Sequence, residues 1–190
     1  MKAALVYGSP TPPGRLHSLL DDVEMQLTAS EGVTVERIAP TATKQFVVGE
    51  WADKDTAAIS QAEVVIFASP VYRGSLTGTL KTLLDLLSIE DLRNKPVGIV
   101  TMAAAPHHFL SAERHIRDIL NWFGAATVPN SLFFVDKDYE TRINSRELRE
   151  EIAEFSQQLF KYNNALSGSK FGPEPLTLRF QSGSKFPPSA

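Results

Sequence analysis

The segment from Ser69 to Lys81, Ser-Pro-Val-Tyr-Arg-Gly-Ser-Leu-Thr-Gly-Thr-Leu-Lys, gathers hydroxyls, a guanidinium and an aromatic ring in a strand-to-helix turn. Pro70 fixes its own φ and has no N–H, while Gly74 and Gly78 allow close approach to the backbone. Ser75 is placed to cap the helix that follows, whose first N–H groups otherwise lack acceptors. Such a turn suits a flat, polar, partly anionic ligand. A second loop, Gly8-Ser9-Pro10-Thr11-Pro12-Pro13-Gly14-Arg15, offers the Ser9 hydroxyl and the Arg15 cation just before another helix start, where N–H groups and the dipole favour an anion. It matches neither the nucleoside-triphosphate loop nor the dinucleotide fingerprint, and it reads as a seat for one monophosphate.

The elements that must hold these loops follow from periodicity. Ala3 to Tyr7 and Val64 to Ala68 are short, wholly apolar runs, as expected of strands buried on both faces. Leu16, Leu19, Leu20, Val23 and Leu27 recur at helical spacing after the first loop, and Leu76, Leu80, Leu83, Leu84 and Leu87 after the second. Val33 to Ile38, Val97 to Thr101 and Leu132 to Val135 read as further strands. Asp55 to Gln61 reads as a short helix, and Ala112 to Phe123 as a helix closed by Gly124. Asn144 with Glu147 marks the start of a last helix carrying Leu148, Ile152, Phe155 and Leu159. About five βα repeats demand right-handed crossovers and a parallel sheet covered on both faces, an α/β fold with three layers. Ligands of such sheets bind outside the carboxyl ends of the strands, where both loops fall.

Composition limits the alternatives. A chain of 190 residues, 43% hydrophobic, has ample core for one domain, and its formal charge of −3 argues against a nucleic-acid surface. Without cysteine, thiolate catalysis, disulfides and iron–sulfur ligation are excluded. Met1-Lys2 leads directly into a strand and no apolar run approaches the ~20 residues of a membrane span, so cytoplasm is the expected setting. The Gly-, Pro- and Ser-rich stretch 165–190, with isolated Phe171, Leu176, Leu178, Phe180 and Phe186, reads as an arm, mobile or docked on a neighbouring subunit, after a domain spanning 1–164.

Ordinary roles stand beside the functional ones. Ser9 could simply cap a turn, Arg15 could be a solvated helix-end charge, and Tyr72 could roof the sheet edge. His107 and His108 have no carboxylate cluster with them, so a loop-to-helix cap suits them better than a metal, and no metal is expected. Lys81 and Asp85 make an intrahelical pair or a subunit contact. Trp51 and Trp122 are expected as core or interface anchors.

Together, Gly8-Ser9-Pro10 with Arg15, Ser69-Pro70-Val71-Tyr72 with Gly78-x-Leu80-Lys81 and Leu83 to Leu87, and Ala105-Pro106-His107-His108 with Phe123-Gly124-Ala125 resemble the flavodoxin-like NAD(P)H-dependent FMN reductases. The likeness spans about residues 2 to 160 and is strongest to the flavin reductases of two-component alkanesulfonate monooxygenase systems. It departs at Ala103-Ala104, where paired glycines are usual, at Gly14 and Leu16, where hydroxyl residues are common, and at Arg114, where the sulfonate-system reductases carry Tyr.

The resemblance implies a flavodoxin-like five-stranded sheet in the order 2-1-3-4-5. It implies FMN at the carboxyl edge, NADPH or NADH as co-substrate, and hydride transfer to the flavin. It also implies a homodimer or homotetramer and a possible flavin-dependent monooxygenase as partner. By position, Ser9, Arg15 and His17 would face the phosphate. Pro70, Val71, Tyr72 and Arg73 would lie along the isoalloxazine, with the Tyr72 and Arg73 amides toward its N1 and O2 edge and Ser75 behind. Ala103, Ala104, His107 and His108 would close the other side. A protein with bound FMN that reduces quinones, azo dyes or metal oxyanions is the alternative, as is a flavin-binding relative without turnover. No catalytic acid or base is expected, since hydride transfer is the cofactor's chemistry.

Overall fold

The computed structural model describes residues 1–11, 13–41, 49–167, 172–175 and 178. The apolar runs form the parallel strands β1 (Lys2–Tyr7), β2 (Thr34–Ile38), β3 (Val64–Pro70) and β4 (Pro96–Ala103). The outermost position is divided between β5 (Ala126–Thr127) and β6 (Leu132–Val135), both parallel to β4. The expected order 2-1-3-4-5 therefore holds, with six strands because the fifth place is split. Two residues, Ala-Thr, carry no strand pattern that a sequence could reveal.

Alternation along each strand sorts side chains into two cores. Ala3, Leu5, Tyr7, Val64, Ile66, Val100 and Met102 face α1 (Arg15–Thr28) and α7 (Arg146–Leu166). Ala4, Val6, Val65, Phe67, Val97 and Ile99 face α2 (Asp53–Gln61), α3 (Gly78–Leu86), the one-turn α4 (Ile89–Leu92) and α5 (Ser111–Phe123). The chain therefore leaves β1 toward one face and β3 toward the other, which opens a crevice between their ends. Gly98 lets α7 settle on the sheet, since a Cβ there would lie 2.6 Å from Phe155 Cζ.

Two helix caps and one added helix differ from expectation, and several strands run one or two residues further at an end. Thr77, not Ser75, caps α3: its hydroxyl accepts from the Leu80 N–H at 3.0 Å. Ser145 caps α7, accepting from Leu148 N–H at 3.1 Å, while Asn144 takes the left-handed conformation (φ 68°) that turns the chain into the cap. Between β6 and α7 stands α6 (Asp136–Arg142), whose sequence Asp-Lys-Asp-Tyr-Glu-Thr-Arg buries Tyr139 and has no apolar stripe to announce it. Gly124 closes α5 as expected, with φ 68°.

The stretch 165–190 is described only in part. Ala165 and Leu166 belong to α7, Glu174 pairs with Arg93 at 2.7 Å, and a Cβ on Gly124 would meet Pro175 at 2.7 Å. Phe171, Leu176, Phe180 and Phe186 lie outside the described residues. Among the described residues no helix is long and apolar enough to cross a membrane.

Thr77 is almost fully buried, and its hydroxyl also donates to the Gly8 carbonyl. Thr77→Val keeps the shape but strands both partners, so chemical denaturation should show a loss of about 1–3 kcal/mol. Gly98→Ala should lose a similar ~1–3 kcal/mol by overpacking against Phe155, and a wild-type midpoint would refute that account.

Candidate functional site

The first two loops meet because Thr77 joins them. Its hydroxyl holds the Gly8 carbonyl, its own N–H donates to the buried Ser69 Oγ at 3.1 Å, and Gly8 N–H donates to Ala68 O at 2.8 Å. A Cβ on Gly8 would lie 2.7 Å from both Ala68 O and Leu80 Cβ, so only glycine permits this approach. Beside the junction, at the carboxyl ends of β1, β3 and β4, lies a cleft of about 350 Å³. That volume falls in the range of small-molecule sites, roughly 300–1,000 Å³.

The first loop forms one wall. Ser9 is buried, with Oγ 2.8 Å from Thr11 Oγ1 and accepting from Thr11 N–H at 3.3 Å. Gly14 precedes α1 in extended conformation, no side chain caps the helix, and no acidic residue occupies its first turn. Its leading N–H groups therefore favour an anion. Arg15 lines the cleft, but its Nε donates to Glu140 and its Nη1 lies 3.6 Å from Asp136 Oδ2, both on α6. The hydrogen bond and charge of Glu140 raise the already high pKa of Arg15. Partial burial pushes the Asp136 carboxyl up, opposed by Arg15 and reinforced by Glu140. His17 does not line the cleft: its ring stands edge-on to Tyr7 at 5.5 Å, with Nδ1 3.4 Å from Asp21.

The second loop supplies the floor. Val71 N–H donates to Met102 O at 2.8 Å, extending the ladder past β3, and Pro70, Val71 and Tyr72 line the cleft. Tyr72 and Ser75 exchange backbone bonds of 3.0 and 3.1 Å around Arg73 (φ 52°) and Gly74 (φ 76°). Two successive positive φ values define a tight hairpin turn. This engages the Tyr72 amide within the protein, so it does not serve as the expected donor toward a ring. Arg73 and Ser75 stand outside the cleft lining, and Ser75 Oγ is 2.9 Å from His115 Nδ1 instead.

The third loop contributes less than expected. Ala103 and Ala104 line the cleft, whose volume they leave open. His107 and His108 belong to the 3₁₀ turn Pro106–His108, with rings 4.2 Å apart and outside the lining, and His108 O accepts from Ser111 Oγ at 2.6 Å. Among the described residues no group of His, Asp and Glu could hold a metal. Trp51 is anchored through its indole N–H to Thr79 O at 2.8 Å, whereas Trp122 is exposed.

Tyr7, Thr11, Gly14, Leu16, Met102 and Asp136 complete the wall. Tyr7 is readable as a strand end and Thr11 as a loop hydroxyl, whereas Met102 falls past the expected strand Val97 to Thr101 because β4 runs on to Ala103. Nothing near Asp136 in the sequence links it to the first loop.

A family model described as NADPH-dependent FMN reductase matches residues 1–140. The NADH-dependent FMN reductase SfnF of Pseudomonas putida is 31% identical over 143 residues, 70% of this chain and 76% of that one. The FMN reductase (NADPH) of Escherichia coli K12 is 30% identical over 159 residues, 75% and 78% of the two chains. With SfnF of Pseudomonas fluorescens Pf0-1, 34% identical over 96 residues, the chain spans only about half the relative's length, 51%. Among solved structures, the apo form of the NADH:FMN oxidoreductase EMOB superposes with TM-score 0.70 at 20% identity, covering 88% and 91% of the two chains. An archaeal flavodoxin gives 0.59 at 14% identity over 84% and 99%, and these two likenesses speak for the fold alone. The match over residues 1–140 carries both loops that line the cleft, and the chain belongs to the NADPH-dependent FMN reductase family.

Proposed function

We propose that the chain is an NAD(P)H-dependent FMN reductase, an oxidoreductase whose cleft at the carboxyl edge of the sheet seats the flavin. The observation that carries this reading is the convergence of the first loop, the second loop and Ala103-Ala104 on one cleft. The donor set fits a flavin monophosphate: two hydroxyls, a guanidinium and an uncapped helix start on one wall, and Pro70, Val71 and Tyr72 on the floor beside it.

In this reading Ser9, Thr11 and Arg15 bind the phosphate, while Pro70, Val71 and Tyr72 orient the ring system. Bound FMN supplies the hydride chemistry, taking a hydride from NADPH or NADH. The residues contribute position and exclusion of water from one ring face by the buried end of β4. Arg73, Ser75, His17, His107 and His108 stand outside the cleft lining and take no part in holding the flavin in this reading.

Delivery of reduced flavin to a partner monooxygenase in the cytoplasm is the proposed setting, suggested by the sulfonate-system resemblance. A homo-oligomer is proposed as well, supported by a groove of about 490 Å³ between α3 and α5 that sets apolar residues such as Leu84, Ile119 and Trp122 beside the charged Lys81, Asp85 and Asp118. Leu86 lies exposed on α3. Sedimentation at micromolar concentration should give more than a monomer, and a monomer mass would remove that part.

Purified protein with added FMN should oxidise NADPH or NADH faster than the same mixture without protein. A rate equal to the protein-free control, with no quenching of FMN fluorescence, would falsify the reading. Arg15→Ala should weaken FMN on the order of tenfold, as expected for loss of a charge-assisted bond, with little effect on riboflavin, which has no phosphate. Equal weakening of both flavins would place Arg15 away from the phosphate.

A further inference from the structure

The cation of the phosphate loop is already engaged by this chain's own carboxylates. Arg15 donates to Glu140 and lies 3.6 Å from Asp136, and Asp136 itself lines the cleft. These acids are held in place. Tyr139, between them in sequence, is buried and donates to Asp22 on α1 at 2.9 Å, and its ring stands edge-on to Phe134 of β6 at 6.1 Å. At the far end of α6, Arg142 pairs with Glu151 of α7 at 2.7 Å. α6 is thus anchored to α1, β6 and α7, and it presents two negative charges to Arg15, the one cation of the cleft lining among the described residues.

Resting on the flavin reading above, we propose that Asp136 and Glu140 are specificity-determining residues, an acidic clamp on Arg15 that lowers the cleft's preference for phosphorylated over unphosphorylated flavin. A phosphate monoester carries about −1.5 to −2 charges near neutral pH. To meet Arg15 it must either replace the carboxylates or join them as a third anion, and like-charge repulsion opposes it in both arrangements. Riboflavin has the same ring system without the charge and so does not feel the clamp. Among the described residues, the charged groups that act on the clamp are Arg15 from α1 and the two acids themselves. Asp21 and Asp22, further along α1, add negative charge near Tyr139. The partial burial that raises the Asp136 carboxyl also weakens its screening by water.

The experiment compares FMN and riboflavin dissociation constants by flavin fluorescence quenching for wild type, Asp136→Asn, Glu140→Gln and the double variant. Thermal unfolding confirms that each is folded. The double variant should bind FMN on the order of tenfold more tightly, equivalent to about 1.4 kcal/mol, with riboflavin within about twofold of wild type. The gain should shrink in high salt. Unchanged or weaker FMN binding with riboflavin intact would overturn the clamp, because the acids would then be organising Arg15 for the phosphate. Parallel changes in both flavins would overturn it too, as a packing effect. If folded wild type binds neither flavin, the flavin reading itself falls, an outcome distinct from both.

Discussion

The Thr77 hydroxyl is the constraint on which the site depends. A buried hydroxyl has one proton to give and lone pairs to receive, and here both capacities are used across two loops: it donates to Gly8 O and accepts from Leu80 N–H. The Thr77 N–H, one residue outside α3, is satisfied by Ser69 Oγ. In this water-poor junction each partner would otherwise be a buried polar group without a bond, so the set holds together or fails together. It fixes the end of β1 against the end of β3 and sets the distance between the wall that offers hydroxyls and a guanidinium and the floor formed by Pro70, Val71 and Tyr72.

Topology explains why a cleft exists at that junction. Because β1 lies between β2 and β3, the chain leaves it toward the core shared with α1 and α7, while β3 feeds α3 on the opposite face. Connections that part company leave a gap above the strand ends, which right-handed crossovers cannot close. Strand β4 limits the depth of the gap, since Val71 N–H continues the ladder onto Met102 and so carries the floor one residue past the end of β3. The same twofold alternation that buries Tyr7 and Met102 on one face brings both to the rim.

How far the sequence foretold this depends on whether a feature is local. Runs such as Val64 to Ala68 announce strands buried on both faces, and Leu80, Leu83 and Leu84 announce one helix face, so the order of elements was legible. The choice of Thr77 over Ser75 as cap was not, because both hydroxyls stand in one turn and only the position of Gly8 O, sixty-nine residues from Thr77, decides between them. The Tyr72 amide looked available until the hairpin with two positive φ values engaged it. His107 and His108 drew attention by residue type, yet the 3₁₀ turn holds their rings outside the cleft lining. Helix α6 was invisible for the opposite reason: its acids matter by what they face across the fold, and charged residues on a short helix look like any solvated surface.

The pairing of Arg15 bears on how long a ligand would stay. A free guanidinium gains a charge-assisted bond outright when an anion arrives, whereas one already held by Glu140 and Asp136 exchanges bonds of similar strength. On the proposed function, the phosphate's contribution is then a difference between two paired states, less than a free guanidinium would give. A protein that must release reduced flavin to another enzyme gains from a shallow difference of this kind, because tight ground-state binding would slow release without speeding the chemistry. A protein that keeps its flavin through many turnovers would gain from the reverse. On the proposed function, the clamp and the exposure of Tyr72 therefore favour flavin as a passing substrate over flavin as a resident group.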